Sequence, residues 1–124
     1  MKRNLLAALT LVFAVLFAAA AFAELPKAPV KIGVVLPTSG AIAYDGNLAL
    51  NGVKMAVDEI NKAGGIQGNE IQLFVEDSAG IPATAVAAME KLVGMEKVVA
   101  VIGDFGSSCT LAMMDVAQRA KVPL

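Results

Sequence analysis

The feature that most constrains the fold is a repeated alternation between short strand-like segments and helical segments. The strand-like segments are either continuous Val- and Ile-rich runs or strictly alternating stretches, both typical of sheet strands, and they lie at residues 30–36, 71–76 and 98–102. Apolar residues recur with helical spacing at residues 47–62, 82–94 and 110–120. This order predicts an α/β fold in which a parallel sheet lies between two layers of helices.

The spacing inside the first helical segment also predicts which side faces the sheet. Ala49, Val53, Ala56 and Ile60 follow one another at steps of four, three and four residues. Residues at these steps share one face of an α-helix. We therefore expect these four side chains to form one apolar face of the helix.

The end of the sequence falls where a fourth strand begins, at residues 122–124. Parallel strands with unpaired apolar edges are prone to aggregate. We therefore expect the chain to be the N-terminal part of a longer protein, cut after the third helix. The alternative is a compact three-stranded domain that ends at this point.

Residues 1–23 have the composition of a secretory signal peptide. Lys2 and Arg3 form a positive start, an apolar core follows, and Ala21-Phe22-Ala23 provides the small residues of a cleavage site. A transmembrane anchor is the alternative, but an apolar run of about 17 residues is at the short end of what spans a bilayer. We expect cleavage before Glu24 and a mature chain, residues 24–124, outside the cytoplasm.

The composition excludes several kinds of chemistry. The chain has no His and a single Cys, Cys109, so it lacks a Ser-His or Cys-His nucleophilic pair, an imidazole metal site and an internal disulfide. Without Lys2 and Arg3, eight basic residues stand against 11 acidic ones, a poor balance for nucleic-acid binding. We expect no catalytic residue, no metal, no cofactor and no nucleic-acid partner, and a buried apolar role for Cys109.

The loops that follow the first and third predicted strands form the candidate binding region. In open parallel sheets, ligands bind beyond the carboxyl ends of the strands, where the strand order reverses. If the strand order is 2-1-3, that position lies between the loops at residues 37–46 and 103–109, which are both rich in Gly, Ser and Thr. The loop at residues 77–81 then lies to one side.

The segment from Gly103 to Thr110 is the most informative of these loops. It leads a strand directly into a helix, and the first turn of a helix has unpaired N–H donors and a partial positive charge. Ser107 and Ser108 add two hydroxyl groups. The segment therefore predicts a site for an anionic group such as a carboxylate, held without a cation. The alternative is that a serine only caps the helix, a contribution of about 1 kcal/mol.

Three stretches of the sequence resemble the extracytoplasmic solute-binding proteins of branched-chain amino acid ABC transporters. They are KIGVVLPTSG at residues 31–40, GVKMAVDEIN with GGIQG at residues 52–61 and 64–68, and the Gly-x-x-x-Ser-Ser loop at residues 103–108. The resemblance implies a two-lobed type I periplasmic binding protein that closes around its ligand. Residues 24–124 would then be an incomplete N-terminal lobe, and we expect this part alone to bind ligand weakly or not at all.

The resemblance also implies roles for individual residues. Ser107 matches the position at which the family's third loop holds the ligand's α-carboxylate, and Ser108 and Phe105 lie beside it on that loop. Ser39 and Tyr44 lie on the first loop, which lines the side-chain pocket in the family. Well-known members have an aromatic residue one place later, where this chain has Asp45, so the resemblance does not fix a preference for leucine.

The function implied by the resemblance is capture of an amino acid, of the branched-chain type or a similar small carboxylate, for transport. The implied location is the periplasm, the implied partner is an ABC transporter permease in the inner membrane, and the full-length protein is expected to be a monomer rather than an enzyme. Two alternatives remain: a ligand-sensing ectodomain of the same fold and a truncated, non-functional remnant. A secreted α/β hydrolase is disfavoured because the Gly-x-Ser-x-Gly elbow is missing.

Overall fold

The computed structural model describes residues 27–124, so the predicted signal peptide lies outside the described residues. Strands and helices alternate as the sequence predicts: β1 (Val30–Leu36), α1 (Ala43–Lys62), β2 (Ile71–Asp77), α2 (Pro82–Lys91), β3 (Ala100–Ile102) and α3 (Ser107–Ala120). A π-helical turn, Leu92–Glu96, continues α2. Within residues 27–124, no helix is both long enough and apolar enough to cross a membrane.

The three strands form one parallel sheet with the order β2-β1-β3. Every residue of β1 has a partner in β2, from Val30 beside Ile71 to Leu36 beside Asp77. The pairing with β3 is shorter and covers only three residues of β1. The α/β class and the strand order assumed for the candidate site are therefore confirmed.

The two faces of the sheet are covered by different helices, which gives the predicted three layers. Val35 and Val101 point to the larger core, which is completed by buried residues of α2 and α3 and of the turn between α2 and β3, including Met89, Leu92 and Met113. Val34 and Leu36 point to the other face and pack against Leu50 of α1. Alternate residues of a strand point to opposite faces of a sheet, so neighbouring residues of β1 serve different cores.

Helix α1 starts four residues earlier than the sequence predicts, at Ala43 instead of Asn47. The prediction treated Gly46 as a helix breaker. In the structure Gly46 is buried within α1, and a Cβ at this position would lie 1.9 Å from the carbonyl oxygen of Pro37. The glycine is thus required by the close approach of α1 to the end of β1, not by a turn.

The apolar face predicted for α1 turns toward the sheet in the second half of the helix, where Val53, Ala56 and Ile60 line a groove with residues of the strands, but it is not closely packed there. Ala49, Ala56 and Ile60 are exposed and Val53 is half-buried. The buried residues of α1 are Gly46 and Leu50, both in its first half. Because α1 packs closely only near its N-terminus, an apolar groove of about 450 Å³ remains beside its second half, lined among others by Val57, Ile60 and Ile102.

The predicted fourth strand is not formed as a regular element within residues 122–124. Its position is nevertheless indicated, because the backbone N–H of Val101 donates to the carbonyl oxygen of Pro123 at 2.9 Å. The last residues therefore run beside β3, on the side away from β1.

Candidate functional site

All five predicted ligand-binding residues lie at the edge of the sheet where the carboxyl ends of the strands meet. Ser39 belongs to the loop after β1, and Tyr44 lies in the first turn of α1. Phe105 belongs to the loop after β3, and Ser107 and Ser108 open α3. Since β1 and β3 are neighbours, the two loops emerge side by side at the reversal of strand order predicted as the site.

The N-terminus of α3 tests the alternative that its serines only cap the helix. The helix begins at Ser107, three residues before the predicted start, and its N-cap is Gly106, with no side-chain cap hydrogen bond. Ser107 and Ser108 therefore occupy the first helical turn, and both are exposed. The interpretation of these serines as the helix cap is wrong. Their amides belong to the first-turn N–H groups, which have no carbonyl partner inside the helix.

The aromatic candidates are also accessible at this edge. Tyr44 is 77% exposed and Phe105 is 49% exposed, although both are large apolar side chains. Exposed aromatic residues at the same edge of the sheet as unpaired helical N–H groups can contact an apolar part of a ligand whose charged end is held by those groups. The chemistry of the site suits a small molecule that has a carboxylate and an apolar body.

Asp77, which the sequence analysis did not predict as part of the site, fixes the first loop. Its carboxylate oxygen Oδ1 accepts hydrogen bonds from the backbone N–H groups of Thr38 at 2.8 Å, Ser39 at 3.2 Å and Ala79 at 2.8 Å. The Ser39 hydroxyl and these N–H groups lower the pKa of Asp77 to about 2, against a partial opposing effect of burial. The carboxylate at the end of β2 therefore holds the loop that carries Ser39.

We expect this carboxylate to give the protein a stability that is lost in acid. Its folded pKa is about 2 and its ordinary value is 3.8, so the contribution is complete above about pH 4 and is lost as the pH falls through about 2. In Asp77→Asn the side chain keeps an acceptor oxygen but loses the charge. Because solvent screens this partly exposed charge, we expect the free energy of unfolding to fall by only about 1 kcal/mol at neutral pH.

Urea unfolding of the parent and the variant at a series of pH values measures this difference. The gap in the free energy of unfolding should close as the pH approaches 2. Asp58→Asn, on the exposed side of α1, is the matched control and should produce no such gap. A gap for Asp77→Asn that stays constant with pH would show that the charge is not involved.

Asp104 and Ser78 are further site residues that the sequence analysis did not predict. Asp104 is 6% exposed and Ser78 is fully buried, and the Ser78 hydroxyl donates a short hydrogen bond to Oδ2 of Asp104. Oδ1 of Asp104 accepts from the N–H of Gly106 at 2.7 Å. An Asp that bonds the backbone two residues later is a recognisable turn signal, and Asp77 with Ala79 and Asp104 with Gly106 both follow it. That local signal could have identified both carboxylates, but not the bond to Ser78.

Cys109 is buried among the apolar residues of the larger core, which confirms the predicted role. Burial, together with the negative charge of Asp104, raises the pKa of the Cys109 thiol. A protonated, buried thiol is a poor nucleophile. As for metals, no group of three His, Cys, Asp or Glu side chains in the described part of the chain is arranged to hold an ion.

Comparison with known proteins gives the family. The family model described as periplasmic binding protein matches residues 29–124. The chain belongs to the periplasmic binding protein family. Two curated relatives are the Leu/Ile/Val-binding protein BraC3 of Rhizobium johnstonii, 41% identical over 103 residues, and an amino acid binding protein of Pseudomonas aeruginosa, 41% identical over 95 residues. They are binding proteins by name, not enzymes.

Solved structures of periplasmic binding proteins agree with this assignment. The branched-chain amino acid transporter substrate binding protein LivJ of Streptococcus pneumoniae, in complex with isoleucine, has 39% identity and a TM-score of 0.76 over 78% of this chain. The leucine binding protein LivK of Thermotoga maritima has 32% identity and a TM-score of 0.69 over 76% of it.

The chain is much shorter than these periplasmic binding proteins. It spans 28% of the Rhizobium relative, which matches 83% of this chain, and 25% of the Pseudomonas relative, which matches 77%. It spans 28% of the Streptococcus structure and 26% of the Thermotoga structure. The residues described here therefore correspond to about a quarter of each of these relatives.

Proposed function

We propose that this chain forms the carboxylate-binding part of a receptor that captures a branched-chain amino acid, or a similar small carboxylate, for an ABC transporter. The observation that carries the proposal is the N-terminus of α3, where Gly106 is the cap and Ser107 and Ser108 are left exposed in the first turn. The names of the relatives, Leu/Ile/Val-binding protein and amino acid binding protein, support an amino acid as the ligand.

In this proposal the two neighbouring loops hold different parts of the ligand. The hydroxyl of Ser107 and the first-turn N–H groups bind the α-carboxylate, because such a site stabilises an anion without a cation. Ser108 lies next to it on the same turn. Tyr44 and Phe105 contact the apolar side chain, and Ser39 contributes a hydroxyl from the first loop.

The setting of the proposed receptor follows from the family and from the N-terminal sequence. We propose that residues 1–23 are removed on export and that the receptor works in the periplasm as a monomer. It would deliver its ligand to a permease in the inner membrane. The groups that close over the other side of the ligand would belong to a second lobe.

Calorimetric titration of the full-length protein with L-leucine, L-isoleucine and L-valine tests the proposal. We expect saturable binding of at least one of them, and binding of leucinol, which lacks the carboxylate, that is weaker by at least about tenfold. Residues 24–124 alone should show no saturable heat.

Tyr44→Ala should change the ratio of the affinities for leucine and valine, because it removes a contact to the side chain only.

Two results would contradict the proposal. If none of the three amino acids binds the full-length protein, the ligand class is wrong. If leucinol binds as tightly as leucine, the α3 N-terminus does not hold a carboxylate. An equal loss for every ligand in Tyr44→Ala would reject only the role of Tyr44.

A further inference from the structure

The loop after β2 is predicted to lie to one side of the binding region, yet the structure connects it to both binding loops. Toward the first loop, Asp77 accepts the N–H groups of Thr38 and Ser39, and the N–H of Ser78 donates to the carbonyl oxygen of Leu36 at 3.1 Å. Toward the third loop, the Ser78 hydroxyl donates to Asp104. The β2 loop therefore connects the two loops that carry the candidate ligand-binding residues, through the partly exposed Asp77 on one side and the buried Ser78 on the other.

Asp104 is the member of this connection that contacts the proposed carboxylate-binding turn. Its Oδ1 accepts the N–H of Gly106 at 2.7 Å, directly before Ser107. Its backbone carbonyl oxygen accepts a hydrogen bond from the hydroxyl of Thr110, one turn into α3, at 2.5 Å. The turn that presents Ser107 and Ser108 is thus bonded to Asp104 at both ends.

The surroundings of Asp104 leave little freedom for this turn. The side chain is 6% exposed, and burial of a carboxylate is costly unless its oxygens accept hydrogen bonds. Both oxygens do so here, from Ser78 and from Gly106. A Cβ at Gly106 would lie 3.1 Å from Oδ1 of Asp104, so the backbone of the turn also lies close against the carboxylate.

We propose that Asp104, oriented by Ser78, is a positioning residue for the carboxylate-binding turn at residues 106–108. The proposal rests on the proposed function, in which this turn binds the ligand's carboxylate. Asp104 itself makes no contact with ligand, because its oxygens are buried and engaged. It fixes the direction of the first-turn N–H groups and of the Ser107 hydroxyl, and a small displacement of such groups weakens binding strongly.

Ligand binding by four single variants of the full-length protein, and by the double variant Ser78→Ala/Asp104→Ala, tests the positioning role. We expect Asp104→Ala to weaken the Kd for the best-bound amino acid by about tenfold or more, since the N–H of Gly106 loses its acceptor. Asp104→Asn should stay within about threefold of the parent, because its amide can still accept from Gly106 and bond to Ser78. Ser78→Ala should weaken binding measurably, and the Ser78→Ala and Asp104→Ala effects should not add.

Asp115→Ala, which removes an exposed aspartate from the same helix, is the matched control and should leave the Kd unchanged. Each Kd is measured well below the melting temperature of the variant concerned. A lower melting temperature with an unchanged Kd in Ser78→Ala and Asp104→Ala would overturn the proposal, because Asp104 would then only support the fold. If Asp104→Ala fails to fold, Ser78→Ala and Asp104→Asn decide the outcome.

Amide hydrogen exchange without ligand separates this proposal from the proposed function. In Ser78→Ala and Asp104→Ala, we expect faster exchange confined to the hydrogen-bonded amides within residues 106–110, which are those of Gly106, Cys109 and Thr110, with the β1 and β2 amides as internal controls. If the parent binds no amino acid but this local change occurs, the proposed function fails while the orientation of the turn by Asp104 is upheld. Unchanged exchange at residues 106–110 would overturn the positioning role even if the parent binds ligand.

Discussion

Gly46→Ala is expected to lower the free energy of unfolding by more than about 3 kcal/mol, the size of effect produced by severe overpacking in a core. A Cβ at position 46 would lie 1.9 Å from the carbonyl oxygen of Pro37 and 2.7 Å from its carbonyl carbon. These are backbone atoms, so a side-chain rotation cannot relieve the clash. The N-terminus of α1 would have to move away from the end of β1 and would carry Tyr44 with it.

The same helix provides a matched control for this substitution. A Cβ at Gly52 has no heavy atom within 4 Å, so Gly52→Ala should stabilise the protein by up to about 1 kcal/mol through helix propensity alone. Urea unfolding of the parent and both variants measures the difference. If Gly46→Ala and Gly52→Ala had equal effects, the close packing of α1 against Pro37 would be wrong.

Ser107→Ala is expected to weaken binding of the amino acid ligand to the full-length protein by about 1–3 kcal/mol, because a ligand carboxylate would lose a hydroxyl donor in the closed site. That is roughly a 5- to 150-fold change in Kd. The melting temperature without ligand should hardly change. Ser107 is exposed, and the cap of α3 is Gly106 with no side-chain cap bond, so the helix does not depend on this hydroxyl.

Thr84→Ala is the control for loss of a hydroxyl near a helix N-terminus. Thr84 is exposed in the first turn of α2, which follows a different loop. We expect the ligand Kd to be unchanged in this variant. A large fall in the melting temperature of Ser107→Ala, without a change in Kd, would assign the serine to the helix and not to the ligand.

The strands were predictable because their signals are local, whereas their order in the sheet was only assumed before the structure gave it. A short apolar run of Val and Ile ended by a proline indicates a buried strand, and β1 forms as predicted between Val30 and Leu36. The starts of α1 and α3 were less predictable. Gly46 and Gly106 both precede a predicted helix in the sequence. In the structure Gly46 is buried inside α1, whereas Gly106 is the N-cap of α3. Glycine permits both uses, and only its tertiary neighbours decide between them.

At the candidate site, too, features with a local sequence signal were predictable and features that depend on tertiary packing were not. The place of Ser107 and Ser108 at a helix N-terminus was predictable, because a Gly- and Ser-rich loop there leads a strand directly into a helix. Their role in binding a carboxylate stays a prediction. The burial of the apolar face of α1 was not predictable, because helical periodicity shows which residues share a side but not how closely that side approaches the sheet. Ala56 and Ile60 share a side with Val53, yet both are exposed.

The sequence by itself determined the alternation of strands and helices and the helix start that presents Ser107, since each depends on residues close together in the chain, and that alternation is typical of a parallel sheet. Only the tertiary structure decided that Asp77 holds the first loop and that Asp104 is bonded to Ser78, 26 positions away. β2 and β3 each pair in parallel with β1, which lies between them, so the carboxyl ends of all three strands lie at one edge of the sheet whatever their separation in sequence. The hydrogen bonds of the three loops depend on that alignment and on burial at the edge of the sheet.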